Sequence, residues 1–482
     1  MILRATWWRC ASLAAVLGLG LIPGAGCTRP NDAGLVDSVG EQRARADDAT
    51  RALHFAGAMV VKGSIEDRLD ARGPRLESVY GPDGARPNEP ISYRLVVPLA
   101  AAQVTPFALL QWKYAESYLR IPIAIDPATG QGSIAGVSQP SGDDLSDDVD
   151  GIICLEDEHG RAGPGIPITY EPAEADDPQE VYGTVLSAHT GSTLAVDLFD
   201  RDGEHLLATG GDDTAVCLWN ADSGHLLRTL QGHSGAVTCL SATGDGARLA
   251  SGSRDHTVRI WDSHTGNLLM TLGEHRDVVT WIAHSPDDRL LASGSWDGTV
   301  RIHDVVQPGA VKTLDIGQRV SMVEFSRDGA SLAVASGTLF QPGRLAVWNV
   351  ADWSPRFSVD LDREVTALNF SAASDRVAAA VGRGQIYVWD VVTGGLLASL
   401  QGGPADTVPR LGFWPGSSGY LAALTLAGTM FIWDIQSGQL GSKKRTRLWL
   451  TSADFSGDGS LMALGDSRGM VRLTPTMAAL PR

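Results

Sequence analysis

Residues 233–262 read H-S-G-A-V-T-C-L-S-A-T-G-D-G-A-R-L-A-S-G-S-R-D-H-T-V-R-I-W-D. Three short apolar runs, Val237–Leu240, Arg248–Ala250 and Val258–Trp261, are separated by Gly244-Asp245-Gly246 and Ser253-Arg254-Asp255. Runs of that length with Gly and Asp between them predict strands joined by tight turns. The unit recurs. His275–Asp304 ends S-G-S-W-D-G-T-V-R-I-H-D and His189–Asn220 ends T-G-G-D-D-T-A-V-C-L-W-N. Self-similarity at a fixed period of this size decides the architecture before any local reading does.

The Trp of the last strand marks the period. It stands at Trp219, Trp261, Trp348, Trp389 and Trp433, His303 replaces it midway between the second and third, and a seventh unit runs out near Thr474. Gly232-His233 near the start, Asp255 in the last turn and Trp261-Asp262 at the end resemble the WD40 repeat. The resemblance implies a mainly β fold, a seven-bladed propeller over residues 181–482. Val181–Ser187 precedes the first unit, and the seventh offers only Trp449–Phe455, Ser460–Leu464 and Met470–Thr474. The early strand is therefore expected to supply the outer strand of the last blade, as in WD40 propellers, and so remove an open edge.

In WD40 blades a His, a Ser or Thr, an Asp and a Trp form a hydrogen-bonded chain. The matching residues are His189-Thr209-Asp213-Trp219, His233-Ser251-Asp255-Trp261 and His275-Ser293-Asp297, with His303 in the Trp slot. Ser, His and Asp are also the members of a hydrolase triad. Here the set recurs at equal offsets in three units, whereas an enzyme needs one activated nucleophile, and no G-x-S-x-G, HExxH or P-loop accompanies it. The structural reading is preferred. Blades four to seven depart from the pattern: Gln318, Glu364 and Thr407 lie near the His place, and Pro342, Arg383 and Ala427 lie where the turn Asp belongs, with an insertion in blade four around Ser336–Gly343.

The chain has 482 residues, enough for one repeat array and an additional region, and a formal charge of −17. That balance speaks against non-specific nucleic-acid binding, which needs a basic face. The basic cluster Lys443-Lys444-Arg445 with Arg447 reads as a solvated loop between repeats, with a contact patch as the other reading. Five cysteines (Cys10, Cys27, Cys154, Cys217 and Cys239) show no metal-type spacing, so no metal or cofactor is expected. Cys217 and Cys239 read as small core residues, with a disulfide left open.

Arg4 and Arg9, the apolar run Ala11–Ile22 and Pro23-Gly24-Ala25-Gly26-Cys27 make residues 1–26 a secretory signal. Small residues directly before Cys27 resemble a bacterial lipoprotein signal, although Gly24 stands where that family usually has Leu. The resemblance implies lipidation of Cys27 and attachment to the cell envelope by several acyl chains, which hold far more firmly than one. Ordinary cleavage after Gly26, giving a soluble exported protein, is the alternative. Residues 27–50 read as a polar tether.

Residues 51–180 form a region of α+β or β-rich character. Ile91–Leu99, Ile121–Ile125, Gly151–Leu155 and Ile166–Tyr170 are strand-like, and Thr105-Pro106 before Phe107–Leu119 predicts a helix. Ser141–Glu158 reads as a solvated acidic linker. Asp148, Asp150 and Gly151 also echo a calcium loop, but Ser146 and Asp157 weaken its first and last ligand positions.

Function is expected from loops on the rigid disc. In WD40 proteins the residue before the turn Asp faces the top surface, and its matches are Asp212, Arg254 and Trp296. Trp and Arg dominate interface hot spots, while covering the neighbouring blade is the plainer role. The chain reads as an exported, monomeric, non-enzymatic scaffold for an unknown protein or peptide, reaching a membrane only through its lipid. A propeller hydrolase or lyase with its site at the channel mouth is the alternative.

Overall fold

A computed structural model describes residues 59–62, 64–65, 68–69, 76, 78–82, 84–85, 91–97, 107–112, 117–123, 125–126, 128–137, 149–157, 159, 161–172 and 182–475 except 274, 308, 339–340, 401–406, 415–418 and 446–449. The signal, Cys27 and the tether lie outside them. Two compact units emerge. One comprises the described part of Met1–Ser187 with Ser223–Leu226 and Arg472–Pro475, and the other Ala188–Asp222 with Leu227–Val471.

In the larger unit, each blade is an antiparallel four-stranded sheet. Blade one runs Thr193–Arg201, Glu204–Gly211, Val216–Asn220 and Leu226–Leu230, in sequential order. Five further sheets repeat that order. The last three strands, Leu450–Phe455, Leu461–Asp466 and Met470–Pro475, begin a seventh. The inner strands are Thr193–Arg201, Val237–Ala242, Val279–His284, Val320–Phe325, Val365–Phe370, Arg410–Phe413 and Leu450–Phe455. Each packs on the next, and the last packs back on the first, so the circuit closes. Thr193 and Ser452 show the closing joint, where the Ser452 hydroxyl donates to the Thr193 carbonyl at 3.3 Å.

Burial follows distance from the rim. The second strands are enclosed on both faces, as in Arg248–Ser253 and Arg376–Val381, while the outermost strand of blade one exposes Leu227, Arg228 and Thr229. Apolar residues of adjacent sheets interdigitate: Val216 and Leu218 of blade one meet Val237, Leu249 and Trp261 of blade two. This contact explains the Gly in S-G-S. A Cβ on Gly252 would lie 2.7 Å from Val279 Cγ1, and one on Gly294 would lie 2.5 Å from Val320 Cγ1. Only glycine admits the next blade so close. The insertion in blade four is an elongated hairpin, paired out to Thr338 and Gln341.

The other unit is built from strands alone among its described elements. One sheet orders as Met59–Lys62, Ser117–Pro122, Phe107–Trp112, Val149–Glu156, Ile166–Pro172 and Gly84–Ala85. Here three expectations are corrected. First, the helix expected over Phe107–Leu119 is instead two strands, Phe107–Trp112 and Ser117–Pro122. Ala108, Leu109 and Leu110 are all buried, and Ser117–Pro122 and Val149–Glu156 pair with the strand's two edges. A continuous apolar run has no period to separate helix from strand, and pairing decided it. Second, Val149–Glu156 is a strand and not a linker or calcium loop: Gly151, where such a loop must turn, lies opposite Trp112 in regular register. Ser146 and Asp148 lie outside the described residues. Asp157 accepts bonds from the amides of His159 and Arg161 and from Arg161 Nε, and so closes a turn. Third, Lys443, Lys444 and Arg445 sit in the strand Leu440–Arg445, not in a loop, while Arg447 is outside the described residues.

Glu156 is buried in this unit between two guanidiniums. Arg68 Nη2 reaches one carboxylate oxygen at 2.5 Å and Arg120 Nε bonds the other. A buried carboxylate requires such pairing. The second sheet of the unit orders Arg472–Pro475 of the last strand, then Tyr182–Ser187, Ser78–Pro82, Ile91–Val96 and Gln131–Val137. Tyr182–Ser187 therefore lies beside the seventh unit's last strand, as expected of a closing strand. It is not an outer edge, however, because Ser78–Pro82 pairs with its other side.

Candidate functional site

The three recurring polar sets assemble as hydrogen-bonded chains. In blade two, Trp261 Nε1 donates to Ser251 Oγ at 2.8 Å, Ser251 Oγ meets His233 Nε2 at 2.8 Å, and His233 Nδ1 meets Asp255 Oδ2 at 2.9 Å. Blade one repeats this with Trp219, Thr209, His189 and Asp213 at 3.2, 2.9 and 2.8 Å. Blade three has Ser293, His275 and Asp297 at 2.8 and 2.9 Å, with His303 opposite Leu291 as Trp261 is opposite Leu249. The local causes are simple. The Asp sits in the turn between second and third strands, where it also accepts the amide next to the His: Thr190, Ser234 or Arg276.

These groups are tuned for rigidity. Burial pushes the His233 and His275 imidazoles below their ordinary value, although Asp255 and Asp297 pull the other way. Burial would raise Asp255, but the Thr257 hydroxyl, the Ser234 amide and His233 together hold it at about 2. Against the same opposition from burial, the Arg276 amide, Thr299 and His275 hold Asp297 well below the carboxylate range. With the imidazole neutral, the Ser hydroxyl donates to Nε2 and Nδ1–H donates to Asp. Ser251 and Thr209 are fully buried, so the oxygen is an internal strut with no access to substrate.

The three turn residues Asp212, Arg254 and Trp296 occupy one position in successive blades. Their amides donate to Ser192, Ala236 and Val278 at 3.0, 2.9 and 3.0 Å. Asp212 is exposed, while Arg254 and Trp296 are half-buried. The Arg319 guanidinium lies 4.6 Å from the Trp296 ring centroid. Asp212 also accepts the Ser192 amide at 3.3 Å.

A second set of polar side chains lines the inner strands. At one register position stand Asp197, Ser241, Ala283, Glu324, Asn369, Gly412 and Asp454, each opposite an Ala of the neighbouring strand. Five of them accept the backbone amide of the next blade's inner strand. Asp454 takes Leu198 at 2.9 Å, Asp197 takes Ala242 at 2.7 Å, Ser241 takes His284 at 3.2 Å, Glu324 takes Phe370 at 3.4 Å, and Asn369 takes Phe413 at 3.0 Å. The physical need is plain: the innermost strand is a sheet edge, and its inward amides have no strand to pair with. Arg410 joins three of these blades, with Nη2 on Asp454 and its charge also felt by Glu324 and Asp197. Burial raises Glu324 to about 7 against the pull of Arg410 and the Phe370 amide, and burial with the nearby Asp454 charge raises Asp197.

Residues 180–220, 224–262 and 266–304 match the family model described as "WD domain, G-beta repeat". The chain carries WD40 repeats. The matched segments are those with complete or near-complete polar chains, and no curated protein matches the chain.

In the remaining blades the register revises the expected positions. The amides of Gly337, Gly382 and Leu426 donate to Arg319, Glu364 and Thr407, the bond made by Asp212, Arg254 and Trp296. Counting from it, the His position falls on Ile316 and Leu361, two and three residues before the nearby Gln318 and Glu364, and three before Thr407 at a residue outside the described ones, while Thr338, not Pro342, holds that of the turn Asp in blade four. Arg383 and Ala427 fall where expected. Val334, Ala379 and Ala423 stand in the Ser position, so the Trp348 indole N–H is buried with no hydroxyl to receive it. Those blades depend on apolar packing, centred on Leu368, Val388, Trp389, Leu421 and Trp433.

Cys154, Cys217 and Cys239 are buried, and no disulfide joins them. Among the described residues no cluster of three His, Cys, Asp or Glu has metal-holding geometry. The inner-strand carboxylates escaped the sequence reading. Their signal was present: V-D-L, V-E-F and A-D-F each place one acid inside an apolar strand at equal distance from the start of its blade.

Proposed function

We propose that this WD40 protein is a non-enzymatic scaffold, exported and anchored through lipid on Cys27, that holds a protein or peptide through the loops of its propeller. The observation that carries the reading is the shared turn position of Asp212, Arg254 and Trp296 on three adjacent blades, with Arg319 stacked on the half-exposed Trp296 ring. An indole with a guanidinium on its face is a typical energetic centre of an interface. WD40 propeller proteins are typically scaffolds. The alternative of a hydrolase or lyase would draw on Asp197, Glu324, Asp454 and Arg410, but each of those carboxylates already caps a backbone amide.

The test is affinity capture from envelope extracts, then calorimetric titration of the captured partner. Trp296→Ala is expected to weaken binding by about tenfold or more with thermal stability retained. Equal affinity would remove Trp296 from the interface. Membrane fractionation of the wild type against Cys27→Ser checks the anchor: a variant that stays in the membrane fraction would refute it.

A further inference from the structure

Five of the seven joints between blades are closed by a side-chain oxygen on the next blade's inner amide. The joint between blades six and seven is not, because Gly412 occupies the capping position. A Cβ built on Gly412 would meet no heavy atom within 4 Å. Ala283 likewise cannot cap the joint between blades three and four, but its methyl packs into the core of Val320, Phe325 and Leu332. At Gly412 a cavity of about 240 Å³ remains, lined among others by Arg327, Asn369, Arg410, Trp414, Asp454 and Phe455.

The lining defines what the cavity accepts. Phe455 follows Asp454 as Leu198 follows Asp197, so its amide holds the position that elsewhere receives a cap. Arg410 has five N–H donors, and its bond to Asp454 engages Nη2. Arg327 contributes a second, exposed guanidinium to the wall. Asn369 is committed, with its oxygen on Phe413 and its amino group on Glu324 at 2.9 Å. The Asp454 carboxylate, also in the wall, is taken up by the Leu198 amide and Arg410, so the Phe455 amide position and the exposed Arg327 guanidinium face the place where an acceptor is missing, with Trp414 and Phe455 as apolar walls. At three of the five capped joints the acceptor is a carboxyl group. The volume is below the roughly 300–1,000 Å³ of sites for drug-sized ligands, so it suits a molecule of a few carbons.

We propose that the joint between blades six and seven binds a small aliphatic carboxylate, whose oxygens replace the side chain Gly412 lacks and engage the Phe455 amide and Arg410. This does not depend on the partner-binding reading. The probe is succinate, titrated by calorimetry and by ligand-detected NMR into the full chain, with succinamide as the uncharged comparison. Succinate is expected to bind at millimolar concentration or below. Gly412→Asp, which builds the missing acceptor into the chain, should cut affinity by about tenfold or more while leaving the melting temperature equal or higher. Arg327→Gln should weaken binding several-fold. If Gly412→Asp fails to fold, Gly412→Ser places the shorter cap seen at Ser241 and is read in the same way. Absence of succinate binding to the wild type, or equal binding by the folded Gly412 variant, would overturn the site. Succinamide binding as well as succinate would overturn the assignment to carboxylates.

Discussion

Ser251→Ala tests the claim that the His, Ser and Asp sets are struts. Ser251 is fully buried and its Oγ serves two partners, Trp261 Nε1 and His233 Nε2, both at 2.8 Å. The substitution removes one oxygen and leaves almost no cavity, so packing loss is minor. What it costs is two buried polar atoms left without partners. A hydrogen bond nets only about 1 kcal/mol, but a stranded buried group costs about 1–3 kcal/mol, so two neutral groups at about 1–2 kcal/mol each give an expected loss of about 2–4 kcal/mol in total. For a domain of this size that lowers the melting temperature by about 5–10 °C. The assay is urea unfolding of the full chain followed by tryptophan fluorescence, for Ser251→Ala, Trp261→Phe and the double variant. Because the two side chains share a bond, the double variant should cost less than the sum of the singles, by about 1 kcal/mol. A loss under about 0.5 kcal/mol for Ser251→Ala, or strict additivity, would refute the strut argument.

Two further outcomes follow from the same chemistry. Val334→Thr places a hydroxyl in the Ser position of blade four, beneath the buried Trp348 N–H. It should be neutral or stabilise by up to about 1 kcal/mol in the same unfolding assay, and a clear destabilisation would show that the indole is out of reach. Acid should weaken the fold in two stages. His233 and His275 lie below 6.5 in the folded chain, so the unfolded chain takes up protons first and stability falls as pH drops through 6.5. Asp213, Asp255 and Asp297 lie below 3.8, so their contribution is present above 3.8 and is lost as pH falls toward about 2 for Asp255. Unfolding midpoints measured across pH should show both declines, and Asp255→Asn should reduce the second. A flat profile would contradict the assigned protonation states.

The repeats were legible because their chemistry is periodic. His, Ser, Asp and Trp at equal offsets in residues 189–304 gave away both the sheets and the bonds linking them. Blades four to six keep Trp348, Trp389 and Trp433 but lack the His, Ser and turn Asp, so their period is legible while the His position, at Ile316 near Gln318, and the turn position, at Thr338 instead of Pro342, are not. Phe107–Leu119 misled for a different reason. Its helix-start signal is local, whereas the pairing of both edges of Phe107–Trp112 is tertiary, and no pattern in one segment reveals its neighbours. The inner-strand caps were hidden likewise: Asp197 and Asp454 gain meaning only when amides far away in sequence are brought beside them.

That last pairing also offers the most direct test of a closed circuit. The amide of Leu198, in the first blade, donates to Asp454 Oδ2, in the seventh, at 2.9 Å. Its hydrogen-exchange rate reports the closing joint and nothing else in its own sheet, where it faces inward. The account predicts strong protection of the Leu198 amide in the full chain, comparable to amides of the enclosed strand Glu204–Gly211, and loss of that protection in Asp454→Ala. Exchange of Leu198 at the rate of an unstructured chain in the wild type, or protection indifferent to Asp454→Ala, would contradict it.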